Sequence, residues 1–252
     1  MIRISAYAHD GGCGKTTSAI NLARHLAQRG LSVLCIDMDA KASLTSRIGL
    51  ASGNVEQVNA GMNIASVMEG KTTIEDAAIV VDDNLFILGT EIPADGTETT
   101  LPLVASRIQA KSPNHNRLHR AIRSAEGLFD VCIIDCAPIA DVLAVNAIYA
   151  ADWILSPVRL DEESVTDTKN VMRMVEEIRE LTDRKPVIKG LIFTQTNPTT
   201  RAYKRTWPEV AKLGVPVLGE IRMFTGVDAS KQIFDSYASI AGKIEEQIGG
   251  LF

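Results

Sequence analysis

Apolar residues in this chain gather in short strand-like runs at 2–7, 32–37, 85–88, 131–135, 153–157, 187–194 and 215–221. Between these runs they recur at three- and four-residue spacing, which predicts helices over 17–29, 61–69, 98–125, 141–149, 163–182, 201–213 and 229–248. Apolar strands too short to alternate, separated by helices, predict an α/β fold: a doubly wound, mostly parallel sheet buried on both faces. Residues 47–83 have weak periodicity and read as loop and short helices of the same domain. No repeat or low-complexity tract breaks the alternation, so 1–252 reads as a single domain.

Composition narrows the class. With 252 residues, 46% hydrophobic and 23% charged, the chain has the balance of a soluble globular protein with a substantial core. No apolar run approaches the roughly 20 residues of a membrane span. An N-terminus that begins on a core strand reads as neither a signal nor a transit peptide. The four cysteines, Cys13, Cys35, Cys132 and Cys136, lack C-x-x-C spacing, which argues against zinc or a disulfide framework and for a reducing cytosol. A net charge of −5 excludes an overall polycation but permits a local basic patch.

Between the first strand and the first helix lies Gly11-Gly12-Cys13-Gly14-Lys15-Thr16-Thr17. A glycine-rich turn there leaves backbone N–H groups free to face phosphate oxygens, where a Cβ would obstruct the turn and the close approach. Lys15 is positioned to reach the outer phosphates, and the Thr16 hydroxyl to ligate magnesium. His9, however, stands where the usual G-x-x-x-x-G-K-[ST] loop has its first glycine.

Two further signals follow in order. The second strand ends in Asp37-Met38-Asp39, and carboxylates at that edge face the nucleotide crevice of a parallel sheet. Asp37 then helps hold hydrated magnesium and Asp39 orients the attacking water; taken alone, the pair is also what a solvated strand end carries. The fourth strand ends in Asp135, the Walker B pattern, with its carboxylate on magnesium through water.

With these motifs the chain resembles the ParA/MinD family of P-loop ATPases over essentially its whole length. The family pattern G-G-x-G-K-T-T matches 11–17. D-x-D-P-Q-x-x-x-T matches 37–45, with Ala40 for the proline and Lys41 for the glutamine. F-D-x-x-I-I-D-x-P-P matches 129–138, with Ala137 for the first proline; Asn146, Ala147 and Asp152 fit N-A-L-x-A-x-D. The resemblance implies ATP and Mg2+ as cofactors, a homodimer in the ATP-bound state, and nonspecific DNA binding released by hydrolysis. It is strongest to the branch that positions cytoplasmic cargo over the nucleoid, the plasmid-partition ParA type and the carboxysome-distribution McdA type. In that branch a ParB-like or McdB-like cargo adaptor stimulates hydrolysis.

The family loop K-G-G-x-G-K-[ST] carries a lysine that reaches the partner's nucleotide, and this chain has Asp10 there. Carboxysome-distribution ATPases also resemble this chain in lacking that lysine. A carboxylate close to a triphosphate is repelled by roughly 1 to 4 kcal/mol depending on screening. Asp10 is therefore expected to point away, to be paired or to bind a cation. Lys169, on the helix after Asp161-Glu162-Glu163, is the first candidate to replace the missing charge, and Lys41, beside Asp39, is the second. A solvated surface lysine is the alternative for both.

Arg201, Lys204 and Arg205 share a helical face, with Lys212, Arg222 and Lys231 nearby in sequence. The resemblance implies a DNA-binding surface in this late region, formed by Arg201, Lys204, Arg205 and Arg222, which would be salt-sensitive and blind to base sequence. Sequence-specific operator binding through a helix-turn-helix extension is not expected. The last helix is amphipathic but more acidic than basic, so it reads as packed on the sheet and not on a membrane. A cytoplasmic, nucleoid-associated protein is expected. Asn197 and Pro198, after one strand end, and Arg222 and Met223, after the next, are expected around the base. Adenine is implied by the resemblance, whereas the residues alone fit ATP or GTP. Two other functions share these motifs: a small-molecule kinase or dethiobiotin-synthetase-like ligase, and a nucleotide-gated binding module without turnover.

Overall fold

The structure, a computed structural model, describes residues 1–50, 52–92, 99–111, 114–138, 140–226 and 228–250. In chain order the elements are β1 (Ile2–Ala6), α1 (Lys15–Gln28), β2 (Val33–Met38), α2 (Ser43–Arg47), α3 (Ser52–Asn59), α4 (Ile64–Glu69), α5 (Ile74–Ala77), β3 (Ile79–Asp82) and β4 (Leu85–Leu88). Then come α6 (Leu101–Gln109), α7 (Arg117–Ser124), β5 (Val131–Cys136), α8 (Val142–Ala150), β6 (Trp153–Arg159), α9 (Ser164–Leu181), β7 (Val187–Thr196), α10 (Arg201–Ala211), β8 (Val217–Arg222) and α11 (Ala229–Gly249). The strands form one 8-stranded sheet in the order β3-β4-β2-β5-β1-β6-β7-β8. Every pairing is parallel except β3 with β4.

The central strands show why the sequence pattern is a continuous apolar run. On β2, Val33 and Cys35 face the layer formed by α1 and α11, while Leu34, Ile36 and Met38 face the layer of α4 to α9. On β5, Val131 and Ile133 turn to the first layer, and Cys132, Ile134 and Cys136 to the second. Side chains still alternate with period two, but both faces are buried, so no polar position is needed. The amphipathic α11 lays Tyr237, Ile240, Ala241, Ile244 and Ile248 against the sheet.

The seven expected strands are present. An eighth, the antiparallel edge strand β3, lies inside the weakly periodic 47–83 segment. Its turn to β4 is Asp83-Asn84, with Asn84 at φ 58°, a left-handed position that asparagine tolerates. The helical pattern expected over 98–125 is two helices, α6 and α7; residues 98, 112 and 113 of that span lie outside the described residues. Buried Asn146 on α8 helps start α7, donating to the Asn114 carbonyl at 2.8 Å and accepting from the Leu118 N–H at 3.3 Å. A helix start fixed by a distant side chain leaves no local trace.

The order of strands assembles the site. β2, β5 and β1 are adjacent, and the register sets Asp37 level with Asp135 and Asp135 level with Ala6. The loop that leaves β1 thus opens directly above both carboxylates, at the carboxyl edge where open α/β sheets bind ligands. Asp152, at the foot of β6, pins the lower edge: its carboxylate takes Arg3 Nε at 2.9 Å and Arg184 Nη2 at 2.8 Å.

Candidate nucleotide site

The 11–17 loop turns between β1 and α1 with Gly12 at φ 79° and Gly14 at φ 97°. Gly14 is the N-cap of α1 in a left-handed conformation, and a Cβ there would lie 3.3 Å from Thr194 Cγ2. The loop needs glycine here for conformation and for space. Two carbonyls are tied down from β7: Thr194 Oγ1 donates to Cys13 O at 2.6 Å, and Gln195 Nε2 donates to Gly12 O at 2.9 Å. With its carbonyls held outward, the loop leaves its N–H groups and the start of α1 to face a phosphate.

Lys15 is buried, and its ammonium donates to the Asp10 carbonyl at 2.5 Å. The Asp10 carboxylate turns the other way and pairs with Arg159, at the end of β6, across 3.4 Å. Arg159 also binds Asp161 through Nε at 2.9 Å. Of the three expected fates for Asp10, the structure has the ion pair.

The two inner carboxylates differ. Asp37 is fully buried and holds the following loop: Oδ2 accepts from the Thr45 N–H at 2.9 Å and its hydroxyl at 2.7 Å, and Oδ1 accepts from the Asp39 N–H at 3.1 Å. Burial pushes its carboxyl up to about 6, against the pull of the Thr45 hydrogen bonds. Asp135 is 1% exposed, and neither of its oxygens has a well-formed hydrogen bond among the described residues. Burial first, then the charge of Asp37, pushes it up to about 8, while the Thr16 hydroxyl and Lys15 pull the other way. An orphaned buried carboxylate is expensive unless a cation meets it. Asp135 together with the Thr16 hydroxyl is the hard-oxygen set that Mg2+ takes, through water as well as directly. Asp39 is half-buried at the mouth, and its carboxylate accepts only the Lys41 N–H, at 2.9 Å, among the described residues.

A cleft of about 290 Å3 opens over the loop, bordered by Lys15, Thr16, Asp39, Lys41, Arg47 and Gln195. A second, of about 270 Å3, continues past Thr17 to Arg222, Met223 and Phe224. Gln195, at φ 51°, borders both, and Ala42, at φ 50°, leads into α2 beside Lys41. Left-handed backbone at non-glycine residues is costly and concentrates at sites where geometry is imposed.

The expected residues divide accordingly. Gly11, Gly12, Gly14, Lys15, Thr16, Thr17, Asp39, Lys41, Arg222 and Met223 border the clefts, and Asp37 and Asp135 lie beneath them. Cys13 is buried behind the loop. Asn197 and Pro198 border neither cleft: the Asn197 carboxamide oxygen accepts from Thr199, and its carbonyl from Thr200, building the turn into α10. Thr194 and Gln195, at the end of the same strand, border the cleft past Thr17. Lys169 is exposed on α9 and borders neither cleft, unlike Lys41. On α10, Arg205 is paired with Glu162 at 2.8 Å, whereas Arg201 and Lys204 carry no ion pair among the described residues. Arg47 and Arg159 escaped the sequence reading. Arg47 Nη2 donates to the Thr17 hydroxyl at 3.1 Å and overhangs the cleft. Its signal was a cation ten residues beyond Asp37; that of Arg159 was a cation ending the strand beside β1, visible only once strand order is known.

Comparison with known proteins agrees with this geometry. The profile of the AAA domain family matches residues 1–188. The chromosome partitioning protein ParA of Caulobacter vibrioides is 30% identical over 195 residues, 77% of this chain and 69% of its own. Among solved structures, cobyrinic acid a,c-diamide synthase from Mycobacterium smegmatis, with an ATP analog and magnesium, superposes at a TM-score of 0.84 with 21% identity, covering 98% of this chain and 95% of that one. A single-residue variant of Cyanothece McdA, in complex with ATP, superposes at 0.81 with 18% identity, covering 99% and 96%. Both structural likenesses establish the shared fold. The loop, the two inner carboxylates, the family profile and the partitioning relative converge, and the chain belongs to the ParA/MinD family of P-loop ATPases.

Proposed function

We propose that this chain is an ATP-driven switch that dimerises when it holds ATP and Mg2+, binds DNA without sequence preference, and positions a cargo whose adaptor stimulates hydrolysis. The observation that carries the reading is the unpaired, buried carboxylate of Asp135 beneath the glycine loop, level with Asp37. Bound magnesium would supply charge neutralisation at the phosphates. Thr16 and Asp135 would hold it, and Asp37 fixes the loop that carries Asp39. Lys15, released from the Asp10 carbonyl, and the loop N–H groups meet charge developing on the transferred phosphoryl group. Asp39 orients a water for in-line attack, so the protein contributes positioning and electrostatics with little covalent chemistry. The Asp10–Arg159 pair supports this reading by keeping the Asp10 charge compensated beside the loop.

Arg201 and Lys204 supply unpaired positive charge for DNA phosphates, and dimerisation doubles the patch. The test is filter binding to duplex DNA with ATP, ADP or no nucleotide, across a salt series, alongside phosphate release. ATP-dependent retention that falls steeply with salt supports the switch. Retention independent of nucleotide would overturn it.

A second reading has one observation in its favour. A groove of about 700 Å3 between α1 and α11 shares Thr17 and Arg47 with the nucleotide cleft, which is space for the acceptor of a small-molecule ligase or kinase. ATP turnover without dimerisation or DNA binding would favour that reading.

A further inference from the structure

Outside the nucleotide cleft, α7 carries three arginines in eight residues, Arg117, Arg120 and Arg123, in a chain whose net charge is −5. Arg117 and Arg120 are three residues apart and so share a face. That face forms one wall of a cleft of about 320 Å3, whose opposite wall is the end of α4 and the turn into α5. Val67 and Met68 contribute apolar floor, and Thr72 and Ser124 contribute hydroxyls.

The charge in this cleft is uncompensated. Among the described residues neither Arg117 nor Arg120 makes an ion pair or side-chain hydrogen bond, and Arg117 Nε is buried without a partner there. The carboxylate at the end of α4 is unavailable, because Glu69 is held by Lys71 at 2.6 Å and Arg107 at 2.7 Å. Asp76 of α5 is engaged with Thr73, accepting its hydroxyl at 2.7 Å. A buried guanidinium N–H without an acceptor costs free energy that an anion would recover. Paired guanidiniums, each a planar fork of donors, match the oxygens of a phosphate group better than any single-point acceptor.

We infer that the α4–α7 cleft is a second anion site, separate from the nucleotide cleft, which binds the phosphate group of a small soluble ligand between Arg117 and Arg120. The volume is several times that of a phosphate, and the apolar floor accommodates the rest of a small phosphorylated molecule. The inference does not depend on the switch proposed above, since no residue is shared between the two clefts.

The test is NMR of the 15N-labelled full chain with ADP and Mg2+ saturating the nucleotide cleft, following the Arg117 Nε–Hε signal. Inorganic phosphate is the probe and chloride at equal ionic strength the control. The expected result is a saturable shift with phosphate, absent with chloride, whose apparent Kd rises at least tenfold in Arg120→Ala. Arg120 is exposed, so this variant tests the site without burdening the core. Arg117→Ala serves to assign the signal. No shift, or a shift equal to that of chloride, would overturn the inference. A shift produced by duplex DNA and not by phosphate would overturn it too, by assigning the cleft to a nucleic acid backbone.

Discussion

Replacing Asp135 by asparagine should stabilise the nucleotide-free protein while abolishing its response to magnesium. The carboxyl rises from an ordinary 3.8 to about 8 on folding, through burial and then the charge of Asp37. A group whose folded pKa is raised gives its full stability below about pH 4 and loses it as pH climbs towards 8. At pH 7 the climb spans about three pH units at about 1.4 kcal/mol each, an upper limit of about 4 kcal/mol. A buried asparagine amide without partners returns about 2 kcal/mol of that. The net gain at pH 7 is therefore about 2 kcal/mol, or about 5 °C in Tm for a chain of this size. At pH 5 the carboxylate costs only about 1.6 kcal/mol by the same arithmetic, and the gain vanishes. Thermal unfolding of both proteins at pH 5 and 7, with and without ATP and Mg2+, reads all of this. ATP and Mg2+ should raise the wild-type Tm and leave the variant nearly unmoved. An Asp135→Asn protein that melts below wild type at pH 7 without nucleotide would refute the reasoning, as would an advantage that does not grow from pH 5 to pH 7.

Four other outcomes follow from the same geometry. Arg159→Ala strips Asp10 of its partner beside the phosphate loop and should weaken ATP binding about tenfold, with Asp10→Asn in the same chain restoring it; fluorescent-nucleotide titration of the four proteins decides, and no restoration would count against the pair. Arg47→Ala should weaken nucleotide binding a few-fold with an unchanged Tm, because its side chain is exposed and its bond to Thr17 lies at the cleft mouth. Gly14→Ala forces a left-handed φ of 97° and a contact with Thr194, so urea unfolding should show a loss of about 2 kcal/mol. Asp152→Ala leaves Arg3 and Arg184 without their shared carboxylate and should cost about 3 kcal/mol in the same assay.

The sheet was legible because most of its strands are buried on both faces, which writes a largely apolar run into the sequence at strands such as β2 and β5. β3 was not: as an edge strand it needs only one covered face, and Val80 is 61% exposed. Glycines and carboxylates announced the phosphate site because the chemistry restricts them to few residue types. The border of the nucleotide cleft was harder to read. Asn197 and Thr194 lie three residues apart, and which of them meets the loop depends on the extension of β7 to Thr196, with Gln195 in a left-handed conformation. The partner of Asp10 was hidden for a similar reason. Arg159 is 149 residues away, and only the adjacency of β1 and β6 brings them together. Asp152, which the family pattern marks without giving a reason, proves to be the anchor for two arginines.

The central claim is that a loop bearing Asp10, neutralised by Arg159, still supports an ATP-dependent dimer. The measurement that tests it most directly is size-exclusion chromatography with light scattering on Asp39→Ala, which should hold ATP without hydrolysing it. The account predicts a monomer with ADP and Mg2+ and a dimer with ATP and Mg2+. A monomer in both, with ATP shown to be bound, would contradict it.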